Sequence, residues 1–373
     1  MIKIITLIMV ILFLVSGQDG YPLLSSNLKV RNIIFFIGDG MGLAQVQAAR
    51  IKSKGALGRL NMELMPVTGL VNTCAADKLI TDSGAGGTAL ASGVKTNIFA
   101  IGVDPLGNPF RTVLEACQRQ GMSTGIVVTS SITHATPATF AAHCSSRSAE
   151  PEIAEQLIYK KVNILLGGGK EFFLPKKVAG SKRVDNRNLI KEAKKLGYTF
   201  VDNKESLIKT EKNYILGLFQ MGHMLTDSAE PSLALMTQKA IEILSQDPDG
   251  FFLMVEGSQI DWKCHTNQTD SMIEQTLMLD EAVKVGLEFA LRDSHTIVIV
   301  TADHETGGLG ILGGAITGDS LICGWLSKDH TAIMVPIFAF GPKAMMFTGV
   351  HENSEIPSIL ARITEIEPFP VKD

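Results

Sequence analysis

The sequence predicts an α/β protein built on a central, largely parallel β-sheet. Short, almost uninterrupted apolar runs alternate along the chain with segments of helical periodicity. Apolar runs of this kind are typical of strands that are covered on both faces of a sheet. Of the 373 residues, 45% are hydrophobic and 19% are charged, which excludes a disordered chain. We therefore expect strands connected by helices that cover the sheet.

Six apolar runs are predicted to be strands. In chain order they are Asn32–Ile37, Gly125–Val128, Asn163–Leu166, Phe251–Val255, Thr296–Val300 and Val335–Phe340. The clearest helical segments are Glu230–Ser245 and Met272–Arg292. In the second of these, the apolar residues recur at helical spacing on one face.

The chain is predicted to form a single domain over residues 18–373, because no linker rich in Pro, Gly or Ser divides it. The segment Lys170–Glu211 is rich in charge and poor in periodicity, so we expect a peripheral insertion there. The net charge of −4 is small for a chain of this length, which argues against a nucleic-acid-binding surface.

Residues 1–17 have the pattern of a secretory signal peptide. Lys3 precedes an uncharged run from Ile4 to Val15, and small residues follow for cleavage near Gly17. The run is shorter than the roughly 20 apolar residues that cross a bilayer, and no later stretch resembles a membrane span. An uncleaved anchor is the alternative. The prediction places the mature protein in the periplasm or outside the cell.

The five cysteines follow neither a C-x-x-C pattern nor a zinc-finger spacing. We expect small buried apolar side chains with at most one or two disulfides. Cys264 stands apart because its neighbours Asp261 and His265 carry chemistry of their own.

Residues with catalytic chemistry follow the first predicted strands, at the edge where open α/β sheets bind ligands. Asp39 lies between two glycines, where a carboxylate suits a hard metal ion. An ordinary Asp-Gly turn is the alternative. Ser83 leads towards the helix-like segment Ala89–Lys95, and the free N–H groups at a helix N-terminus bind anions. A plain N-cap at Asp82 or Ser83 is the alternative there.

Thr136 and Arg147 follow the second predicted strand, and Glu256 follows the fourth. A guanidinium group can bind two phosphate oxygens at once, although a single arginine is usually a solvated surface charge.

Carboxylates and imidazoles with metal-ligand spacing come after the fourth and fifth predicted strands. Asp261 and His265 are four residues apart, so on a helical turn they face the same side and can share one metal ion. Asp303 and His304 are adjacent after the fifth strand, and His330 precedes the sixth. Each pair alone is weak evidence, but their common position at strand ends predicts a metal centre.

These motifs resemble those of the alkaline phosphatase family. The segments that carry the resemblance are IIFFIGDGMG, TDSGAGGTALASG, ATPATFAAHCSSR, ILLGGGKEFF, GFFLMVEGSQIDWKCH, VIVTADHETGG and KDHTA, in the order of the family and over about 300 residues. The resemblance implies a mixed sheet sandwiched between helices in a homodimer. It also implies non-specific hydrolysis of phosphate monoesters through a phosphoserine, releasing inorganic phosphate and an alcohol.

The resemblance also implies a role for each matching site residue. Ser83 would be the nucleophile, and Arg147 would bind the phosphate oxygens. The first of two zinc ions would be held by Asp261, His265 and His330, the second by Asp39, Asp303 and His304, and Mg²⁺ by Asp39, Thr136 and Glu256.

Two positions differ from the best-known bacterial pattern of the family. His134 stands where an aspartate often lies near the third metal, and Trp262 stands where a lysine often contacts phosphate through water. We expect weaker Mg²⁺ binding or its replacement by zinc at the first position, and faster phosphate release at the second. Neutral packing variants are the alternative. The glycines at 84, 86 and 87 are poor helix formers, which suggests a labile site adapted to low temperature.

Other functions fit the motifs less well. A sulfatase would need Pro and Arg after the nucleophile, and neither follows Ser83 at the required spacing. A nucleotide phosphodiesterase would lack the residues that match Arg147 and Glu256, and a protein that only binds metal or phosphate would not need Ser83. The segment Gly167–Lys170 resembles a P-loop, but Glu171 replaces the required hydroxyl residue.

Overall fold

The computed structural model describes residues 28–366 and 368–372. The predicted signal peptide, residues 1–17, lies outside the described residues. Within the described ranges, no helix has both the length and the apolar character needed to cross a membrane.

Fourteen strands are present in the described part of the chain. They are β1 Asn32–Gly38, β2 Val67–Asn72, β3 Ser123–Ser131, β4 Ile164–Gly168, β5 Thr199–Val201, β6 Ile215–Leu218, β7 Phe251–Gly257, β8 Thr296–Thr301, β9 Glu305–Thr306, β10 Leu309–Gly314, β11 Leu321–Trp325, β12 His330–Thr331, β13 Val335–Phe340 and β14 Gly349–Glu352.

Eleven α-helices connect these strands in the same ranges. They are α1 Leu43–Lys54, α2 Ser83–Ser92, α3 Val113–Arg119, α4 Ala135–Ala138, α5 Glu150–Tyr159, α6 Leu189–Lys195, α7 Lys204–Lys209, α8 Leu233–Leu244, α9 Gln259–His265, α10 Thr269–Ala290 and α11 Ile356–Thr364.

Ten of the strands form one mixed sheet in the order β14-β2-β13-β8-β1-β7-β3-β4-β6-β5. The seven strands from β8 to β5 are parallel neighbours, whereas β13 pairs antiparallel with both β8 and β2. Every residue of β1, β7 and β8 is buried, so both faces of the central strands are covered. The predicted α/β class with a mostly parallel sheet is confirmed.

All six predicted strands occur in this sheet, because continuous apolar runs identify strands that are buried on both faces. The two clearest predicted helices are also present, as α8 and α10. The sequence pattern missed four strands of this sheet, the edge strands β14 and β5 and the neighbours next to them, β2 and β6. They are short or only partly buried, so they lack the long apolar runs of the central strands. The segment Lys170–Glu211, which we expected to be a peripheral insertion, contributes the edge strand β5.

Two small antiparallel pairs extend beyond the main sheet. Strands β10 and β11 form a hairpin, and β12 pairs with β9 so that His330 lies opposite Thr306. The second pair brings a histidine that is distant in sequence to the end of β8. It therefore completes the site described below.

Helix α2 begins and ends earlier than the sequence suggested. It starts at Ser83, and the side chain of Asp82 caps it by accepting a hydrogen bond from the Ala85 N–H at 3.0 Å. The expectation of a helix over Ala89–Lys95 was wrong at its C-terminal end, because Gly93 adopts a left-handed conformation (φ +76°) that ends the helix.

Candidate active site

The carboxyl ends of the central parallel strands gather the acidic residues of the site. Glu256 lies in β7, Asp39 directly follows β1, and Asp303 follows β8. Since β1 pairs with both β7 and β8, these three side chains meet at one edge of the sheet. All three residues are fully buried.

Ser83 lies at the N-terminus of α2, beside this edge. Its residue is only 2% exposed, and its Oγ lies 3.4 Å from His304 Nε2. Asp82 occupies the N-cap, so Ser83 itself is not needed for capping. Its hydroxyl therefore faces the site next to the free N–H groups of the helix.

The first group of possible metal ligands comprises Asp261, His265 and His330. Asp261 and His265 share one side of α9, with His265 Nε2 3.2 Å from Asp261 Oδ2. His330 Nε2 lies 3.2 Å from His265 Nε2 and 3.6 Å from Asp261 Oδ1. The Nδ1 atoms of the two histidines contact the carbonyl oxygens of Lys328 and Thr81, so each Nε2 faces the cluster.

The second group comprises Asp39, Asp303 and His304. His304 Nε2 lies 3.5 Å from Asp39 Oδ1 and 3.4 Å from Asp303 Oδ2. The Gly40 N–H and the His304 N–H both donate to Asp303 Oδ1, which leaves its other oxygen facing the cluster.

The third group combines Asp39, Glu256 and His134, whose ligand atoms lie within 4.8 Å of one another. Ser258 donates to Glu256 Oε2 at 2.6 Å and leaves Oε1 without a partner. The Thr136 hydroxyl is buried and also lacks a partner. The structure thus places a nitrogen of His134 within reach of a cation, rather than outside the ligand set.

Arg147 lies between the helix start and the third group. Its Nη1 donates to Asp82 Oδ2 at 2.8 Å, and its Nη2 lies 3.3 Å from His134 Nε2. Although burial opposes it, hydrogen bonds from the Ala85 N–H and Arg147 lower the pKa of Asp82. An ionised Asp82 thus holds the guanidinium group beside Ser83.

The buried carboxyl groups of the site have raised pKa values and would be stabilised in their charged forms by cations. Burial raises the pKa of Glu256 to about 8, and burial together with the charge of Asp261 raises the pKa of Asp303 to about 7. Burial and then the charge of Asp303 raise the pKa of Asp39 well above its usual range. Both oxygens of Asp39 are buried without a hydrogen-bond partner. Metal ions would satisfy these oxygens and restore the charged forms, so the residues present fit the expected metals.

Two residues of the site gave no signal in the sequence. Thr306 donates to Asp261 Oδ1 at 2.5 Å and lies 3.2 Å from His304 Nδ1, so it connects the first two groups. The position of Thr306 two residues after His304 is the only feature of the sequence that places it near the metal ligands. His223 packs against Trp262 with ring centroids 4.5 Å apart, and it comes from a loop that carries no motif.

Close packing gives the glycines of α2 a role other than flexibility. A Cβ atom on Gly86 would lie 2.7 Å from the carbonyl oxygen of Asp303, and one on Gly84 would lie 2.9 Å from that of Ala100. Neither position therefore admits a side chain without a shift of the neighbouring backbone, and at Gly86 that backbone carries the metal-site residue Asp303. This packing does not support the proposed adaptation to low temperature.

All five cysteines are free thiols, which agrees with the expectation of at most one or two disulfides. Only Cys117 and Cys264 are buried as expected, whereas Cys74, Cys144 and Cys323 are half-buried. Cys264 is a buried residue of α9, and Gln45 Nε2 lies 3.8 Å from its sulfur. Burial raises the pKa of this thiol, which disfavours the thiolate that would bind a metal.

The fold, the three ligand groups and the serine beside them are the arrangement expected of a metal-dependent α/β hydrolase. The family model for alkaline phosphatase matches residues 30–322 and 318–366. The chain belongs to the alkaline phosphatase family, whose members are phosphoric monoester hydrolases.

Sequence relatives and solved structures agree with this assignment. Alkaline phosphatase 4 of Bacillus subtilis is 35% identical over an alignment that covers 90% of this chain and 89% of the relative. The alkaline phosphatase of Escherichia coli is 33% identical, with 89% and 85% covered. The structure of the alkaline phosphatase of the Antarctic bacterium TAB5 has a TM-score of 0.84 at 32% identity, with 91% and 100% covered. A variant of the TAB5 enzyme in which a histidine is replaced by aspartate was solved with Mg bound in its M3 site.

Proposed function

We propose that this protein hydrolyses phosphate monoesters without strong selectivity, through a phosphoserine formed on Ser83. The observation that supports it most directly is the position of the Ser83 hydroxyl. It is buried at a helix N-terminus, 3.4 Å from His304 and beside the Arg147–Asp82 pair. A nucleophile, an anion-binding backbone and a guanidinium group therefore surround one small volume.

The proposed cofactors are two zinc ions and one Mg²⁺. Asp261, His265 and His330 would hold the first zinc, Asp39, Asp303 and His304 the second, and Asp39, Thr136 and Glu256 the Mg²⁺. Histidine-rich groups suit zinc, and oxygen donors suit Mg²⁺. When bound, these ions supply Lewis-acid stabilisation of the negative charge on serine, phosphoryl and leaving-group oxygens.

The protein's own residues would position both half-reactions. Ser83 Oγ would bond to phosphorus while the bond from phosphorus to the ester oxygen breaks. The proton that Ser83 loses is matched by one that the ester oxygen gains, so the alcohol leaves. Arg147, held by Asp82, binds two phosphoryl oxygens, and the N–H groups at the start of α2 face the same charge. Water would then attack phosphorus and lose a proton, the bond from Ser83 Oγ to phosphorus would break with a proton returned to Oγ, and inorganic phosphate would be released.

The test is hydrolysis of p-nitrophenyl phosphate at alkaline pH by the native protein and by Ser83→Ala. We expect activity that EDTA removes, that Zn²⁺ with Mg²⁺ restores, and that Ser83→Ala lowers at least about a thousandfold. Ser245→Ala, an exposed position at the end of α8, is the control. A Ser83→Ala protein that keeps its metals and its activity would refute the phosphoserine.

We also propose that the protein forms a homodimer through the outer face of the β10–β11 hairpin. Ile311, Leu321 and Trp325 pack against the core, whereas Leu312, Ile322 and Leu326 on the other side are 72%, 58% and 84% exposed. Leu57 and Ile316 are also exposed, and the Ala56 N–H donates to the Ile316 carbonyl, so both lie next to each other beside the hairpin. Grouped exposed apolar side chains of this kind mark protein–protein interfaces.

Light scattering in solution tests the dimer. We expect the native mass to be twice the chain mass, and the double variant Ile322→Glu with Leu326→Glu to be a monomer. Leu106→Glu, equally exposed in another loop, is the matched control. A native protein that runs as a monomer at all concentrations would contradict the proposal.

Finally, we propose export to the periplasm or the medium, with residues 1–17 as a cleaved signal. N-terminal sequencing of the exported protein is the measurement. A mature chain that begins near residue 18 is expected, and retention of Met1 would contradict it.

A further inference from the structure

An aromatic group that the metal-site motifs do not require borders the site. The His223 ring centroid lies 4.5 Å from that of Trp262 and 5.7 Å from that of His134, and the last two lie 5.9 Å apart. His223 is exposed and Trp262 is half-buried. The pair therefore presents ring surface to solvent beside His134 of the third ligand group.

Backbone contacts fix the orientation of His223. The Ser131 N–H donates to His223 Nδ1 at 2.9 Å, so this nitrogen is the acceptor and the neutral ring carries its proton on Nε2. The Gly169 N–H donates to the Gly222 carbonyl at 2.6 Å. A Cβ atom on Gly168 would lie 2.1 Å from the same carbonyl oxygen, so the loop lies flat against the end of β4.

The opposite side of the pair is equally fixed. Trp262 belongs to α9 and directly follows Asp261 of the first ligand group. From the same helix, Gln259 Nε2 donates to the carbonyl of Met224, which follows His223 in the chain. The loop and the helix thus hold the two rings against each other, and His134 connects them to Arg147 at 3.3 Å.

Two fixed aromatic rings beside a phosphate clamp suit a flat substituent on the alcohol. Because Nδ1 of His223 accepts a hydrogen bond, its ring is neutral, and neither ring of the pair carries a full charge. Aromatic side chains stack on the faces of bases and aryl groups with little dependence on their identity. A small aliphatic alcohol offers no such face.

We propose that Trp262 and His223 form a stacking platform for the alcohol part of the substrate, which favours aryl and nucleoside monoesters over aliphatic ones. This inference rests on the proposed function, because it names the substrate class of the same site. The two residues act on specificity, whereas Ser83 and the metal ligands act on every monoester.

Adenosine 5′-monophosphate and ribose 5-phosphate test the platform, because they share the leaving alkoxide and differ by the base. We expect the native enzyme to have the higher kcat/KM for the nucleotide. In His223→Asn, the amide oxygen can still accept from Ser131 but the ring is lost, so the preference should fall about tenfold, mainly through KM. His223→Phe loses the hydrogen bond but keeps a ring, and should retain the preference.

His295→Ala is the matched control, since His295 directly precedes β8 and so lies at the end of that strand opposite to the site. An unchanged preference in His223→Asn, or a loss in His223→Phe alone, would overturn the platform and assign His223 a packing role. If the metal-loaded native protein hydrolyses neither ester, the proposed function fails instead.

Ligand binding gives a readout that does not depend on turnover. The sequence contains two tryptophans, so Trp325→Phe leaves Trp262 as the one fluorophore of its kind. In this background, with metals bound, phenylphosphonate should quench Trp262 fluorescence and bind about tenfold more tightly than methylphosphonate. Equal affinities without quenching would overturn the platform whether or not the protein is a phosphatase.

Discussion

Thr306 Oγ1 donates a hydrogen bond of 2.5 Å to Asp261 Oδ1, and it lies 3.2 Å from His304 Nδ1. One hydroxyl therefore orients a member of the first ligand group and a member of the second. Thr306 is fully buried in β9, whose partner β12 carries His330. Residues that orient metal ligands in this way affect metal affinity nearly as strongly as some ligands do.

Thr306→Val keeps the volume of the side chain and removes its hydroxyl. We expect Zn²⁺ affinity to fall about 10- to 100-fold, with Thr306→Ser close to native. Competition with a chelator measures this directly. Thr276→Val is the control, because that buried hydroxyl bonds only within α10. Equal zinc affinities for Thr306→Val and the control would show that the hydroxyl does not support the ligands.

Gly86→Ala should lower both the stability and the activity of the protein. The added Cβ would meet the Asp303 carbonyl oxygen at 2.7 Å, and neither α2 nor the end of β8 can move without disturbing the metal site. We expect a loss of about 1–3 kcal/mol in the free energy of unfolding together with lower activity at every temperature.

Gly313→Ala is the matched control for this packing effect, since its Cβ would meet only the end of the Ile322 side chain at 3.8 Å. Thermal unfolding and activity between low and moderate temperature are the measurements. A Gly86→Ala protein with a higher inactivation temperature and slower turnover in the cold would favour flexibility as the function of this glycine.

Candidate site residues at the ends of strands could be predicted from the sequence, whereas those that reach the site only through tertiary contacts could not. Asp39, Glu256 and Asp303 could be predicted, because apolar runs locate buried strands and parallel strands share one carboxyl edge. His223 could not, since its loop reaches the site through the backbone of Gly169 and Ser131. The sequence allowed either Asp82 or Ser83 to cap the helix, and the start of α2 at Ser83 assigns the cap to Asp82.

Glu115, which belongs to none of the three ligand groups, should make the stability of the protein depend on acid pH. Burial opposes ionisation, but hydrogen bonds and charges from His143 and Lys160 prevail and lower the pKa of Glu115 to about 2. A carboxyl whose pKa is lower in the folded state stabilises the protein above its unfolded value, near 4.5. That contribution, about 3 kcal/mol, is lost as the pH falls towards 2.

Glu115→Gln should therefore be less stable than the native protein at pH 6, and this difference should shrink below pH 4.5. Denaturant unfolding of both proteins across pH 2.5–6 measures it, with Glu205→Gln as the control because that carboxyl is exposed and pairs with the exposed Lys209. A difference that stays constant across this range would show that the charge of Glu115 does not contribute.

His134→Asp should increase the affinity of the third ligand group for Mg²⁺. Burial and then the charge of Arg147 lower the pKa of His134 to about 3, so the native ring is neutral and offers a nitrogen where Mg²⁺ prefers oxygen. An aspartate adds a charged oxygen donor beside Asp39 and Glu256, although it also loses the contact of the ring with Arg147 Nη2.

We expect calorimetric titration to show at least about tenfold tighter Mg²⁺ binding and a smaller share of zinc in the third site. His134→Asn, which supplies an oxygen without the charge, should gain less. Equal Mg²⁺ affinities for the aspartate variant and the native protein would mean that Thr136, Glu256 and Asp39 alone set the metal preference of this site.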